Sequence, residues 1–241
     1  MLMTDPVGCL ISFLLALFLS LITYKFGLLT RSGCIGAFVI GLCIGVLGSV
    51  WWLALLILFA LIGFTATLVG LSKKREKGLQ EGTNGERSYK NILGVAIPPL
   101  VFAIINGIFP GNEWMLSIAY ISTISVAAAD TAASELGVKD PKVWMITTFK
   151  RVEPGTDGGI SLTGTLISAA GALVVSLLGY LFIMHTLDAW FLVPALCGFA
   201  GCIADSYIGA TVETWGYVNK YANNCITGIL GGLLAVAICM I

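Results

Sequence analysis

Residues 152–184 read VEPGTDGGISLTGTLISAAGALVVSLLGYLFIM. A Glu, an Asp and three glycines crowd into the first ten positions, and no charged residue follows. An apolar run that crosses about 30 Å of hydrocarbon takes roughly 20 residues. The stretch therefore reads as a membrane span opened by a polar, glycine-rich loop. Residues 81–88, EGTNGERS, stand in the same relation to the next apolar run.

Working outward, the 241 residues are 58% hydrophobic and 11% charged, with a mean hydropathy of +0.96. Soluble domains carry about 25% charged residues. The composition predicts an all-α, polytopic transmembrane helix bundle, a single domain over residues 1–241. Formal net charge is zero, so no global field recruits nucleic acid. About eight apolar runs are long enough to span: 7–24, 32–48, 50–71, 92–109, 113–132, 161–184, 188–209 and 225–241. Asp5 stands before the first run where a signal peptide carries Lys or Arg, so that run is expected to be a retained helix.

The thirteen Lys and Arg test this map, because positive charge gathers in cytoplasmic loops. Lys25 and Arg31 follow the first run, six basic residues from Lys73 to Lys90 the third, Lys139, Lys142, Lys150 and Arg151 the fifth, and Lys220 the seventh. The connections around Trp51, Pro110 and His185 have none. Strict alternation places the four basic loops in the cytosol and both termini outside, in a prokaryotic plasma membrane. The seven cysteines lie in or beside apolar runs without a CxxC pair, and read as small helix residues. The single His185 lies away from the basic loops, which argues against a His-based metal site or a Ser-His-Asp triad.

The two glycine loops align: Gly82 with Gly155, Thr83 with Thr156, Gly85 with Gly158, Ser88 with Ser161. About fifty residues beyond each, AADTAASELG (128–137) matches IADSYIGATVE (203–213), Asp130 with Asp205 and Thr131 with Ser206. This is the pattern of one unit used twice, 81–137 and 153–213: a cytosolic loop, a helix out, a helix back, and an Asp where the chain returns. Parallel repeats of this kind bring both loops and both Asp sites to one pocket.

Carboxylates at a membrane edge are costly unless paired, hydrated or bound to a cation, so Asp130, Glu135 and Asp205 are candidate functional residues. Asp130 and Glu135 do not share a helical face, so both serve one site only where the helix ends or unwinds between them. Glycine loops let successive backbone N–H groups converge on an anion, and the following helix N-terminus adds partial positive charge. Asp157 repels a bare phosphate but suits one bridged by Mg2+, a hard cation that takes carboxylates and phosphate oxygens together. Arg87, Lys90, Lys150 and Arg151 flank the loops; phosphate neutralisation and topological anchoring account for them equally well. No Lys precedes a Ser or Thr, which excludes a P-loop nucleotide site.

The ordered set DTAASELG, PGTDGGIS with LTGT, ADSYIGATVE and ANNCITG, with LTRSGCIGA and EGTNGERS upstream, resembles the integral-membrane phytyl-phosphate kinase family of the vitamin E pathway and its archaeal and bacterial relatives, long catalogued as a domain of unknown function. The likeness covers nearly the whole chain. It implies transfer of the terminal phosphate of a nucleoside triphosphate, CTP favoured, to an isoprenoid monophosphate lipid of phytyl, geranylgeranyl or farnesyl type. The family's first motif often carries a Trp where Ala132 and Ala133 stand, a departure that touches substrate detail. On this resemblance Mg2+ is expected on Asp130, Asp157, Asp205 and Glu135. Gly155, Thr156, Gly158, Gly159, Ser161 and Ser206 would hold nucleotide phosphates, Arg87 and Lys90 the transferred or acceptor phosphate, and Asn223 and Asn224 the base or ribose. The lipid tail would lie among membrane lipids between helices. A CTP-dependent lipid cytidylyltransferase would use the same parts, and a secondary transporter would use a parallel repeat with its carboxylates near mid-membrane.

Overall fold

Inside a bilayer every backbone N–H and C=O must find its partner within the segment, and the apolar runs accordingly form helices. The structure, a computed structural model, describes residues 5–241. Its helices are α1 (Pro6–Lys25), α2 (Arg31–Leu47), α3 (Val50–Glu76), α4 (Tyr89–Ile108), α5 (Glu113–Leu136), α6 (Leu162–Met184), α7 (Leu192–Ile208) and α8 (Lys220–Cys239). All eight expected runs are helical. Seven of the helical segments are long and apolar enough to cross a membrane, and α2 is a shorter apolar helix of 17 residues. Polar residues define the helix starts: the side chains of Asp5, Thr30, Ser49, Ser161 and Asn219 each accept a first-turn N–H, and Ser88 with Asn91 forms a capping box. Two ends differ from the hydropathy reading. Helix α3 runs on to Glu76 with Lys73, Lys74 and Arg75 in its last turn, where basic charge complements the helix dipole. Helix α8 begins already at Lys220.

Helix α5 is the axis of the bundle, packed against α3, α4, α6, α7 and α8. Of its spanning window 89% is buried, against 33% for α3, α4, α6, α7 and α8. Lipid tails are as apolar as leucine, so helices associate through close packing at small residues. Gly171 of α6 lies on Ala128, while Gly198 and Gly201 of α7 lie on Ser125 and Val126. Tyr120 stacks on Trp52 with ring centres 4.2 Å apart and donates its hydroxyl to the Trp52 carbonyl at 2.6 Å.

Contacts between loops sort the molecule into two ends. At one end Leu29 pairs with Arg87, Lys77 donates to the Val138 carbonyl at 3.4 Å, and Lys220 meets Glu81 at 2.7 Å. All four basic loops gather there. At the other end Trp51 packs on His185 at 5.3 Å and Trp114 on Trp190 at 4.8 Å. The alternation of basic loops in the sequence is therefore a geometric separation in the fold.

One feature is absent from the hydropathy pattern. Between α5 and α6 the chain forms a small antiparallel sheet, with β1 (Val143–Met145) central between β2 (Arg151–Val152) and β3 (Gly159–Ile160). Val143 pairs with Val152, and Met145 with Gly159. Strands of two or three residues are too short to show a period-two alternation. The sheet carries the second glycine loop as the connection from β2 to β3.

Candidate active site

The two motif aspartates meet. Helix α5 carries Asp130 and α7 carries Asp205, and packing of these helices sets both side chains on the wall of one cavity. The Thr227 hydroxyl of α8 donates to Asp205 Oδ1 at 3.3 Å. Asn223 Nδ2 donates to the Asp205 carbonyl at 3.1 Å and to Glu213 Oε2 at 3.2 Å. Glu213 ends a π-helical turn, Gly209–Glu213, that continues α7. The pair opens onto a cavity of about 270 Å³, walled by these helix ends and, opposite them, by Gly155 to Ser161. Asp157, Ser206, Glu213, Asn223, Asn224 and Lys220 also face it.

The matched glycines share their backbone geometry. Gly82 and Gly85 have φ of +54° and +87°, and Gly155 and Gly158 have +97° and +74°, a region costly for residues with a Cβ. The loops differ in what their amides do. In the first, Glu86 folds back so that Oε1 accepts from Thr83 N–H at 3.0 Å and Oε2 from Asn84 N–H at 2.6 Å. Those two amides hold the Glu86 carboxyl below its ordinary pKa. In the second, Gly159 stands where Glu86 does. There the amides of Gly155, Asp157 and Gly158 have no hydrogen-bond partner among the described residues, and Thr156 donates its hydroxyl to the Glu153 carbonyl at 2.8 Å. Gly158 lies against Ala210 of the π turn, so close that a Cβ would overlap it. The first loop is filled by its own carboxylate; the second faces the cavity open. Ser161 Oγ accepts from Gly164 N–H at 3.0 Å and starts α6 on the cavity wall.

Three expected site residues lie elsewhere. Glu135 was expected beside Asp130 through an unwound helix end, but α5 is unbroken to Leu136. Five residues at 100° each turn Glu135 about 140° away from Asp130. It faces α3 instead, 3.0 Å from Lys74 Nζ and 3.5 Å from Arg87, off the cavity wall. Arg87 is engaged by this carboxylate and by the Thr67 hydroxyl at 3.0 Å. Lys90 is exposed on the first turn of α4. Conversely, Glu213, Lys220 and Lys74 are on the wall without a motif that marks them as site residues. Glu213 closes the ADSYIGATVE motif beyond the apolar run that ends at 209, and the π turn carries it on to the wall. Lys220 counted only as topological charge.

Among the described residues no cluster of three or more His, Cys, Asp or Glu side chains is arranged to hold a metal ion, so the four-carboxylate set does not assemble. What does assemble is the Asp130–Asp205 pair beside the buried Asn223 Oδ1, which has no protein partner. A carboxylate pair and a carbonyl, open to a cavity that admits phosphate oxygens and water, is a donor set that fits Mg2+.

The sequence model of the family described as integral membrane protein DUF92 matches residues 14–232. An uncharacterized membrane protein of Methanocaldococcus jannaschii is 39% identical over 98% of this chain and 96% of its own length. One of Synechocystis is 33% identical over 80% of this chain and 78% of its own. The protein named VTE6, chloroplastic, of Arabidopsis thaliana is 29% identical over 86% of this chain and 64% of its own. No solved structure matches.

Proposed function

We propose, from the premise that this chain belongs to the integral membrane protein DUF92 family, that it is a membrane-embedded phosphotransferase that moves the terminal phosphate of a nucleoside triphosphate, CTP favoured, onto an isoprenoid monophosphate. The observation that carries this reading is the apposition of the half-buried Asp130–Asp205 pair and an open glycine loop across one cavity. That arrangement offers anionic oxygens for a cation and free amides for phosphate, and no histidine lines the cavity to act as nucleophile or base. Phosphoryl transfer to an acceptor that is already an oxyanion needs neither. An acceptor oxygen attacks the terminal phosphorus, the bridging P–O bond breaks, and the nucleoside diphosphate leaves with the electron pair. Positioning and charge neutralisation supply the rate.

Asp130 and Asp205, with Asn223 Oδ1 and the loop residue Asp157, would hold Mg2+, which when bound neutralises the phosphate charge. The amides of Gly155, Asp157 and Gly158 orient the triphosphate, and Thr227 and Asn223 hold Asp205 in place. A cavity of about 270 Å³ falls below the roughly 300–1,000 Å³ that encloses a drug-sized ligand. It houses the phosphates, and the base and the prenyl tail extend beyond it. The residues from Asp130 to the end of α5 span about 9 Å, and Asp205 lies three residues before the end of α7 proper, where the π turn takes over. This placement favours one-sided chemistry over transport from mid-membrane. By the positive-inside rule the cavity faces the cytosol of a prokaryotic cell and both termini lie outside.

The test is turnover of purified, detergent-solubilised protein with Mg2+, gamma-labelled CTP or ATP, and phytyl, geranylgeranyl or farnesyl monophosphate. Label in the prenyl diphosphate, lost in Asp157→Asn, is expected. Release of pyrophosphate in place of nucleoside diphosphate would replace this reading with cytidylyl transfer.

A further inference from the structure

The two glycine loops have the same backbone and opposite surroundings, and the difference points to a cation. The first loop cannot cradle a ligand phosphate while the Glu86 carboxylate occupies its amides. Its other acid, Glu81, reaches across to α8 and binds Lys220 Nζ at 2.7 Å. Burial pushes the Glu81 carboxyl up, but the Lys220 charge and hydrogen bond outweigh it and leave it below its ordinary pKa. Lys220 is the first residue of α8 and borders the cavity that holds Asp130 and Asp205. Its side chain is 52% exposed. One of its three protons goes to Glu81, and the others remain available. The other cations nearby are engaged: Lys74 is buried on Glu135, and Arg87 is shared between Glu135 and Thr67.

We propose that Lys220 is the side chain that binds the ligand's phosphate at the cavity mouth, and that Glu81 is a positioning residue that aims it. The inference rests on the phosphotransfer reading above and deepens it. The first glycine loop has become the mount for a cation, while the second cradles the phosphate. An exposed ion pair alone contributes little to stability; the pair's use lies in holding a flexible lysine over the cavity before an anion arrives.

The experiment is calorimetric titration of the detergent-solubilised full chain with inorganic tripolyphosphate in the presence of Mg2+, alongside the prenyl-phosphate turnover assay. Lys220→Ala is expected to weaken tripolyphosphate binding about tenfold or more, as loss of a charged hydrogen bond does. Lys220→Arg is expected to keep binding within about threefold of wild type. Glu81→Gln should weaken binding about threefold alone and nothing further on Lys220→Ala, whereas loss of a merely structural bridge would weaken binding equally in the two single variants. Thermal unfolding verifies that each variant is folded, and Lys220→Arg and Glu81→Gln carry the test where the alanine variant is not. Wild-type binding by folded Lys220→Ala, or equal additive losses in the double variant, overturns the proposal. Absence of tripolyphosphate binding by the wild type overturns it together with the phosphate reading of the cavity. The expected binding pattern without turnover of any prenyl phosphate upholds Lys220 and removes the kinase reading.

Discussion

At the scale of single residues, three acids that look alike in sequence have different surroundings. Asp130 and Asp205 face each other and the cavity, while Glu135 is locked between two cations. The consequences of neutralising them differ accordingly. Asp130→Asn and Asp205→Asn remove the charge on which a divalent cation depends, and each is expected to lower turnover of prenyl phosphate by about a hundredfold or more, with thermal unfolding little changed. Glu135→Gln leaves Lys74 and Arg87 without their buried partner, a class of change that costs about 3–5 kcal/mol. It is expected to lower the unfolding temperature in detergent while the activity per folded molecule stays within a few-fold of wild type. The sequence motif DTAASELG shows that acids are there; the rotation of a continuous helix decides which of them a ligand meets.

At the scale of elements, the glycine loops were legible as loops, and the aligned glycines all take positive φ. What each does was not legible, because it turns on a Glu86 side chain that folds back on one and on a π turn that docks against the other. Gly158→Ala sets a Cβ against Ala210 at a positive φ, and is expected to cost about 1–3 kcal/mol and to abolish turnover by displacing the loop. Gly78→Ala, at a φ of +68° with open space around it, is expected to cost about 1 kcal/mol and to preserve turnover. The first loop should respond to acid. Folded Glu86 and Glu81 titrate below their ordinary values, so their contribution is present above the unfolded pKa of about 4.3 and is lost as pH falls through the lower folded values. Amide exchange at Thr83 and Asn84, corrected for intrinsic rates, is expected to be protected at pH 7, to lose that protection only in acid below the ordinary carboxylate range, and to be unprotected at either pH in Glu86→Ala.

At the scale of the whole molecule, the fold separates basic loops from the rest, and the cavity lies at the basic end. In a cysteine-free background, Phe149→Cys at the tip of the β1–β2 turn and Thr186→Cys after α6 report the two ends. A membrane-impermeant maleimide is expected to label Thr186→Cys in intact cells and Phe149→Cys only in inverted vesicles; the reverse would turn the site outward. Membrane class, the eight helices, the alternation of charged loops and the pairing of motifs followed from the sequence by itself. Hydropathy and charge act locally along a chain in a bilayer, and twenty apolar residues in a row have few other destinations. The tertiary structure alone decided that Glu135 turns to α3, that Glu213 and Lys220 enter the site, and that one glycine loop is closed and its twin open. Those outcomes depend on how helices rotate and dock at small residues, and on side chains that find partners up to 139 positions away. No local pattern encodes such contacts.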